Sequence, residues 1–161
     1  MPPFNYQEPV LDTISIRPAR PGDTDTIVRF NVEMARDSES LELAPEMVRQ
    51  GVEASLRSPE RGKYFLAEKS GSVVGQIRVT HEWSDWNNSY YWWIQNVYVE
   101  PESRRNGVYT ALHGHVRDLA RSAGACGLLL YVDRENTSAQ EVYNRLGMES
   151  SHYLIFEQER I

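Results

Sequence analysis

Disulfides, membrane spans and metal clusters are absent or nearly so from this 161-residue chain, and each gap excludes something. One cysteine, Cys126, allows no internal disulfide, which suits a reducing cytoplasm. No apolar run approaches the roughly 18 residues of a membrane span, and mean hydropathy is -0.56. The stretch Met1–Pro9 has neither a basic n-region nor an apolar h-region, so no secretory signal is expected. Without one, the sequons at Asn87 and Asn136 carry no meaning. Gly-x-x-x-x-Gly-Lys loops, Gly-x-Ser-x-Gly elbows and His/Cys/carboxylate groups at metal spacing are all missing, so no metal is expected. Basic character is also lacking. Net charge is -6, so neither nucleic acid nor a membrane surface is an expected partner.

What remains is one ordinary globular composition, 40% hydrophobic and 25% charged. Residues 1–11 carry three prolines and few apolar anchors, and read as an extended or mobile tail before a single domain over 12–161. Ile14–Pro18 reads as a first strand. Asp23 or Thr24 is placed to cap a helix with Ile27, Phe30 and Met34 on one face. Pro45 opens a second helix ending near Leu56. Tyr64–Lys69, Val73–His81 and Tyr90–Val99 read as a three-strand meander with a loop from Trp83 to Ser89. The run from Gly127 to Val132 reads as a strand buried on both faces, Ser138–Leu146 as a helix, and Tyr153–Glu157 as a closing strand.

The most informative stretch is Val97 to Tyr109: a β-branched strand, a proline stop, a basic turn, a glycine, then an apolar stripe at Leu112, Val116 and Leu119. A strand feeding a helix start makes an anion site, because the first helical amides have no partner within the helix. Gly107 lets a ligand approach the backbone, and Arg104 and Arg105 can pair with phosphate. The local chemistry points to a phosphorylated small molecule.

Arg104-Arg105-Asn106-Gly107-Val108-Tyr109 resembles the Arg/Gln-x-x-Gly-x-Gly/Ala pyrophosphate loop of the GNAT superfamily of acyl-CoA-dependent N-acetyltransferases. Asn136, Ala139, Tyr143 and Leu146-Gly147-Met148 resemble the Asn-x-x-Ala-x-x-x-Tyr-x-x-x-Gly-Phe helix of the same superfamily. The resemblance implies an α+β fold with a mixed, mostly antiparallel sheet of six to seven strands, four flanking helices and a splayed centre that holds acetyl-CoA. It implies transfer of acetyl from acetyl-CoA to a primary amine by direct attack in a ternary complex. The backbone of Val97, Tyr98 and Val99 would face the pantetheine and acetyl carbonyl, and Arg104, Arg105, Asn106, Gly107, Val108, Tyr109 and Thr110 the pyrophosphate. Tyr109 departs from the family's small residue. Asn136 and Ala139 would belong to the cofactor site, Asn136 either holding the pantetheine or capping its helix. Tyr143 would protonate the departing thiolate.

Relatives carry a carboxylate base just before the Val-x-Val segment, where this chain has Gln95 and Asn96. Glu33, His81, Glu82 and Asp85 are the remaining candidates. His113 and His115 read as surface residues. The acceptor pocket implied by the resemblance draws on Phe30, Glu33, Trp83, Trp86, Trp93 and Gln95, with some aromatics open to use in a homodimer contact instead. A small-molecule amine is the expected partner. The competing reading is a non-catalytic acyl-CoA-binding sensor or assembly module.

Overall fold

The computed structural model describes residues 13–158, so the tail expected over 1–11 lies outside them. They fall into two compact units, one reaching to Leu130 and one starting at Tyr131. The first contains β1 (Ser15–Pro18), α1 (Thr24–Glu39), α2 (Pro45–Arg57), β2 (Lys63–Lys69), β3 (Ser72–Ser84), β4 (Ser89–Val99), α3 (Val108–Ser122) and β5 (Gly127–Leu130). The second contains α4 (Thr137–Arg145). None of the described helices is long and apolar enough to cross a membrane.

The five strands lie in sequence order in one sheet. β1 to β4 run antiparallel, and β5 joins β4 in parallel. Strand alternation sends consecutive β2 residues to opposite faces. Phe65 and Ala67 join Ile77, Val79 and Ile94 under the Val108–Leu112–Val116 stripe of α3. Tyr64 and Leu66 pack instead with Ile27 and Val28 of α1 and Val52 of α2. The sheet is therefore sandwiched, with α3 on one face and α1 and α2 on the other.

Several expectations are corrected. Among the described residues the sheet has five strands, not six to seven. Tyr153–Glu157 forms no strand, and its apolar side chains are exposed, Phe156 at 91%. Strand propensity expresses fit to a neighbouring pleated surface, and no described strand pairs with this segment. The run from Gly127 yields only four strand residues, partly buried at the sheet edge rather than covered on both faces. The expected Trp83–Ser89 loop is mostly hairpin: Trp83 pairs with Tyr90 and Ser84 with Ser89. Asp23 does not cap α1 through its side chain. Its carboxylate is held by the Arg17 fork at 2.8 and 2.9 Å and by the Arg20 amide at 2.7 Å.

Candidate active site

The β3–β4 ladder contains a bulge where the site begins. Pairing runs in register to Arg78↔Gln95 and resumes at Gln76↔Tyr98, leaving Asn96 and Val97 opposite Ile77 alone. Asn96 adopts φ 48°, a left-handed value that asparagine tolerates better than most residues. A buried polar cluster holds it there. Asn31 Oδ1 on α1 accepts from Gln76 Nε2 at 2.7 Å and from Asn96 Nδ2 at 3.1 Å. Gln76 Nε2 also donates to the Asn96 carbonyl at 3.2 Å, and Asn31 Nδ2 donates to the Tyr64 hydroxyl at 3.1 Å. The sequence reading missed Asn31 and Gln76 as site-shaping residues. Their one signal was an amide set among apolar neighbours, in Phe30-Asn31-Val32 and Gly75-Gln76-Ile77.

Beyond the bulge, β4 parts from β5. Their pairing starts at Tyr91↔Gly127 and ends at Ile94↔Leu130, while β4 continues to Val99. Among the described residues no strand pairs with that edge past Ile94. The Glu100 amide donates to Val74 O at 2.9 Å, towards β3. Backbone alternation then turns the amide and carbonyl of Val99, and of Val97 two residues earlier, towards the open edge. Arg104 Nε reaches the Val99 carbonyl from the following loop at 2.9 Å.

That loop leads directly into α3. Arg105 and Gly107 take left-handed φ values of 64° and 79°. Ala111 donates to Gly107 O at 2.9 Å, so the helical ladder begins there and Val108 to Thr110 form the opening turn. No acidic residue occupies that turn, so nothing cancels the positive end of the helix dipole. Arg104 is drawn inward, towards Asp37 at 3.2 Å and the Tyr98 ring at 5.7 Å. Arg105 is exposed and no described carboxylate pairs with it. The Tyr109 ring turns into the α3 core, 5.9 Å from the His113 ring, and does not lie across the helix start. His113 corrects the surface expectation: it is 2% exposed with neither ring nitrogen hydrogen-bonded. Desolvation pushes its pKa down, with Arg117 adding to the effect.

The base candidates separate along the hairpin. Glu33 Oε2 accepts from the Tyr98 hydroxyl at 2.7 Å and pairs with Arg29 at 3.1 Å, placing a carboxylate beside the free half of β4. Burial and then Glu33 push the Tyr98 phenol well above its usual pKa. Glu82 accepts from the Trp93 indole at 2.6 Å, farther along the same face. Asp85 is an exposed turn residue at the hairpin tip, roughly 25 Å along β4 from Val97 by strand rise. Trp86, 91% exposed, lies at the same tip. His81 stacks against Trp92 at 4.7 Å on the α3 face, and burial lowers its pKa.

The expected pocket residues are likewise divided. Phe30 is fully buried against the Tyr98 ring at 4.8 Å. Trp93 and Gln95 face the α1–α2 side. Trp83 faces the other side of the sheet, with Tyr90 at 5.0 Å. The structure thus brings together Phe30, Glu33 and Tyr98, sets Gln95 against Arg78 on the same face of the sheet, and does not add Trp83, Trp86 or Asp85 to them.

In the second unit, Asn136 caps α4: its Oδ1 accepts from the Ala139 amide at 3.1 Å. Desolvation raises the Tyr143 phenol pKa. Gly147 ends the helix with φ 86°, and Met148 donates back to Tyr143 O at 3.0 Å.

Known proteins resemble this chain in sequence and fold. The model of the acetyltransferase (GNAT) family matches residues 29–148. The chain is 28% identical over 147 residues to an aminoalkylphosphonate N-acetyltransferase of Salmonella typhimurium, covering 91% of this chain and 92% of that protein. It is 32% identical over 155 residues to a mycothiol acetyltransferase of Amycolatopsis mediterranei, covering 89% of this chain but about half, 49%, of that longer protein. A crystal structure of a possible acetyltransferase from Clostridium difficile 630 superposes with a TM-score of 0.86 at 39% identity, covering 92% of this chain and 98% of the other.

Proposed function

Because this chain belongs to the GNAT family of acetyltransferases, we propose that it transfers acetyl from acetyl-CoA to the primary amine of a small molecule, by direct attack within a ternary complex. The observation that carries the reading is the open edge of β4 past Ile94, running towards an α3 start that has no acidic residue. An extended pantetheine arm can pair with such an edge as a strand would, and a diphosphate suits the helix start that follows. Two relatives carry small molecules in their names, aminoalkylphosphonate N-acetyltransferase and mycothiol acetyltransferase, which supports a small acceptor.

Acetyl-CoA supplies the activated thioester, and the chain's own residues do the rest. The Val97 and Val99 amides are donors for the charge that develops on the thioester oxygen. Val108 to Thr110 and the exposed Arg105 receive phosphate oxygens, with Arg104 holding the loop against Val99. Tyr143, in the helix that Asn136 caps, is the residue to which the family resemblance assigns protonation of the departing sulfur. A thiol pKa near 8.5 against a phenol near 10 makes that transfer cost about 2 kcal/mol, and the burial of Tyr143 adds to it. Freeing an alkylamine of its proton at pH 7 costs about 4–5 kcal/mol. Glu33 is the base we favour, because its carboxylate already touches β4 through Tyr98.

The test is thiol release from acetyl-CoA with a panel of amines, alongside calorimetry. One thiol per acetylated amine is expected. Tyr143→Phe should cut turnover by about 10²-fold or more, the usual share of a general acid, with acetyl-CoA affinity retained. Peptides acetylated while no free amine reacts would overturn the small-acceptor reading. Acetyl-CoA binding without turnover for any acceptor would establish the binding module instead.

A further inference from the structure

Three arginines of the described chain are partly buried: Arg17, Arg49 and Arg78. Arg17 is paired with Asp23 and Glu68, and Arg49 with Asp25. Arg78 has no carboxylate among the described residues. It stands on β3 facing the α1–α2 side, where Nη1 donates to Gln95 Oε1 and Nη2 to the Arg61 carbonyl. Its Cζ lies 5.8 Å from the centre of the Tyr64 ring. Its Nε is buried without an acceptor beneath Gly62, where an added Cβ would come within 3.0 Å of that nitrogen. Glu82, the acid on the same face of β3, is four residues away, roughly 13 Å by strand rise, and is engaged by Trp93.

Enclosing a guanidinium without a counter-charge is costly, and neutral oxygens return only part of its hydration. One N–H on each terminal nitrogen is left beyond the bonds described. The location is also specific. Arg78 pairs with Gln95, the residue immediately after the last β4–β5 pair, so it stands one strand in from the open edge and level with its start. Gln95 lies roughly 7 Å along β4 from Val97.

We infer that Arg78, braced by Gln95, is the subsite for an anionic group on the acceptor, so that the substrate class is small amines bearing a carboxylate or phosphonate. This rests on the N-acetyltransferase reading above. A planar fork with two free N–H groups suits either anion, and a phosphonate dianion should gain more than a carboxylate.

Two measurements separate this inference from its premise. The first compares kcat/KM for 2-aminoethylphosphonate, β-alanine and propylamine by thiol release. The second is thermal stabilisation of the full chain by 2-aminoethylphosphonate alone, which requires no chemistry. We expect the wild type to favour the anionic amines by roughly tenfold or more. Arg78→Gln should erase that ratio and the stabilisation, and Arg78→Lys, which keeps charge but loses the fork, should retain part of both. If Arg78→Gln fails to fold, Arg78→Lys and Gln95→Leu give the same ratios. Stabilisation that depends on Arg78 without any thiol release upholds the subsite and overturns the transfer reading. Turnover of propylamine equal to that of the anionic amines, or an unchanged ratio in Arg78→Gln, overturns the subsite and leaves transfer intact.

Discussion

Gly75→Ala tests whether the α3 start is held in place by contact with the sheet. A Cβ at Gly75 would lie 2.9 Å from Tyr98 O, 3.0 Å from Val108 Cγ1 and 3.5 Å from Leu112 Cδ1. The first contact is with backbone, about half an ångström closer than ordinary van der Waals distance, and cannot be relieved by a rotamer change. Overpacking of this kind costs about 1–3 kcal/mol, against which alanine's lower backbone entropy in a strand returns about 0.5–1 kcal/mol. The net loss, up to about 2.5 kcal/mol, corresponds to a fall in Tm of up to about 10 °C for a chain of this size. The functional effect should exceed the thermal one. Relief moves either the Tyr98 carbonyl, beside the bulge, or Val108, the first residue of α3, and misplacement on the ångström scale costs up to about 10²-fold in rate. Differential scanning calorimetry and titration with acetyl-CoA read both effects, with Gly114→Ala, which meets nothing within 4 Å, as the control in α3. Gly75→Ala that melts at or above the wild-type temperature and binds acetyl-CoA unchanged would refute the packing argument.

Other variants probe separate features. Gly51, exposed within α2 with open space around it, should tolerate alanine with a gain of about 0.5–1 kcal/mol, read as a higher Tm; a lower one contradicts the helix geometry. Asn31→Leu strands the buried donors of Gln76 and Asn96 and should cost about 2–4 kcal/mol. It should also lower kcat through the loosened bulge, and denaturant melts with unchanged stability would remove that cluster from the account. Burial depresses the pKa of His113 in the fold, whereas in the unfolded chain it takes a proton at about pH 6.5. The unfolded state therefore binds more protons as pH falls below about 6.5, and stability drops there until the folded pKa is reached. Part of that slope should vanish in His113→Leu, with His81 supplying a remainder of the same sign; identical slopes in melts from pH 7.5 to 5 would count against it.

Features that depend on local chemistry were legible from a few neighbouring residues. The strand–proline–glycine–helix run at Val97 to Val116 announced β4, the loop and α3, because apolar period and turn residues act over a few neighbours. The spacing from Asn136 to Gly147 announced α4 and its left-handed stop for the same reason, and left open whether Asn136 caps it, which the structure shows it does. Local propensity also misled: Tyr153–Glu157 has the composition of a strand and forms none, since a strand needs a partner edge and composition does not supply one. Other features were decided only by tertiary structure. Trp83 and Trp93 look alike in the sequence, yet the hairpin register sends them to opposite faces. Asn31, Gln76 and Asn96 come from three elements and become one cluster only when α1 packs on the sheet. Nothing in the residues beside Arg78 marks it out from the chain's other arginines. The burial of its Nε beneath Gly62, with no carboxylate partner among the described residues, depends on contacts between residues far apart in the chain, and no short stretch of sequence can state which of them will meet.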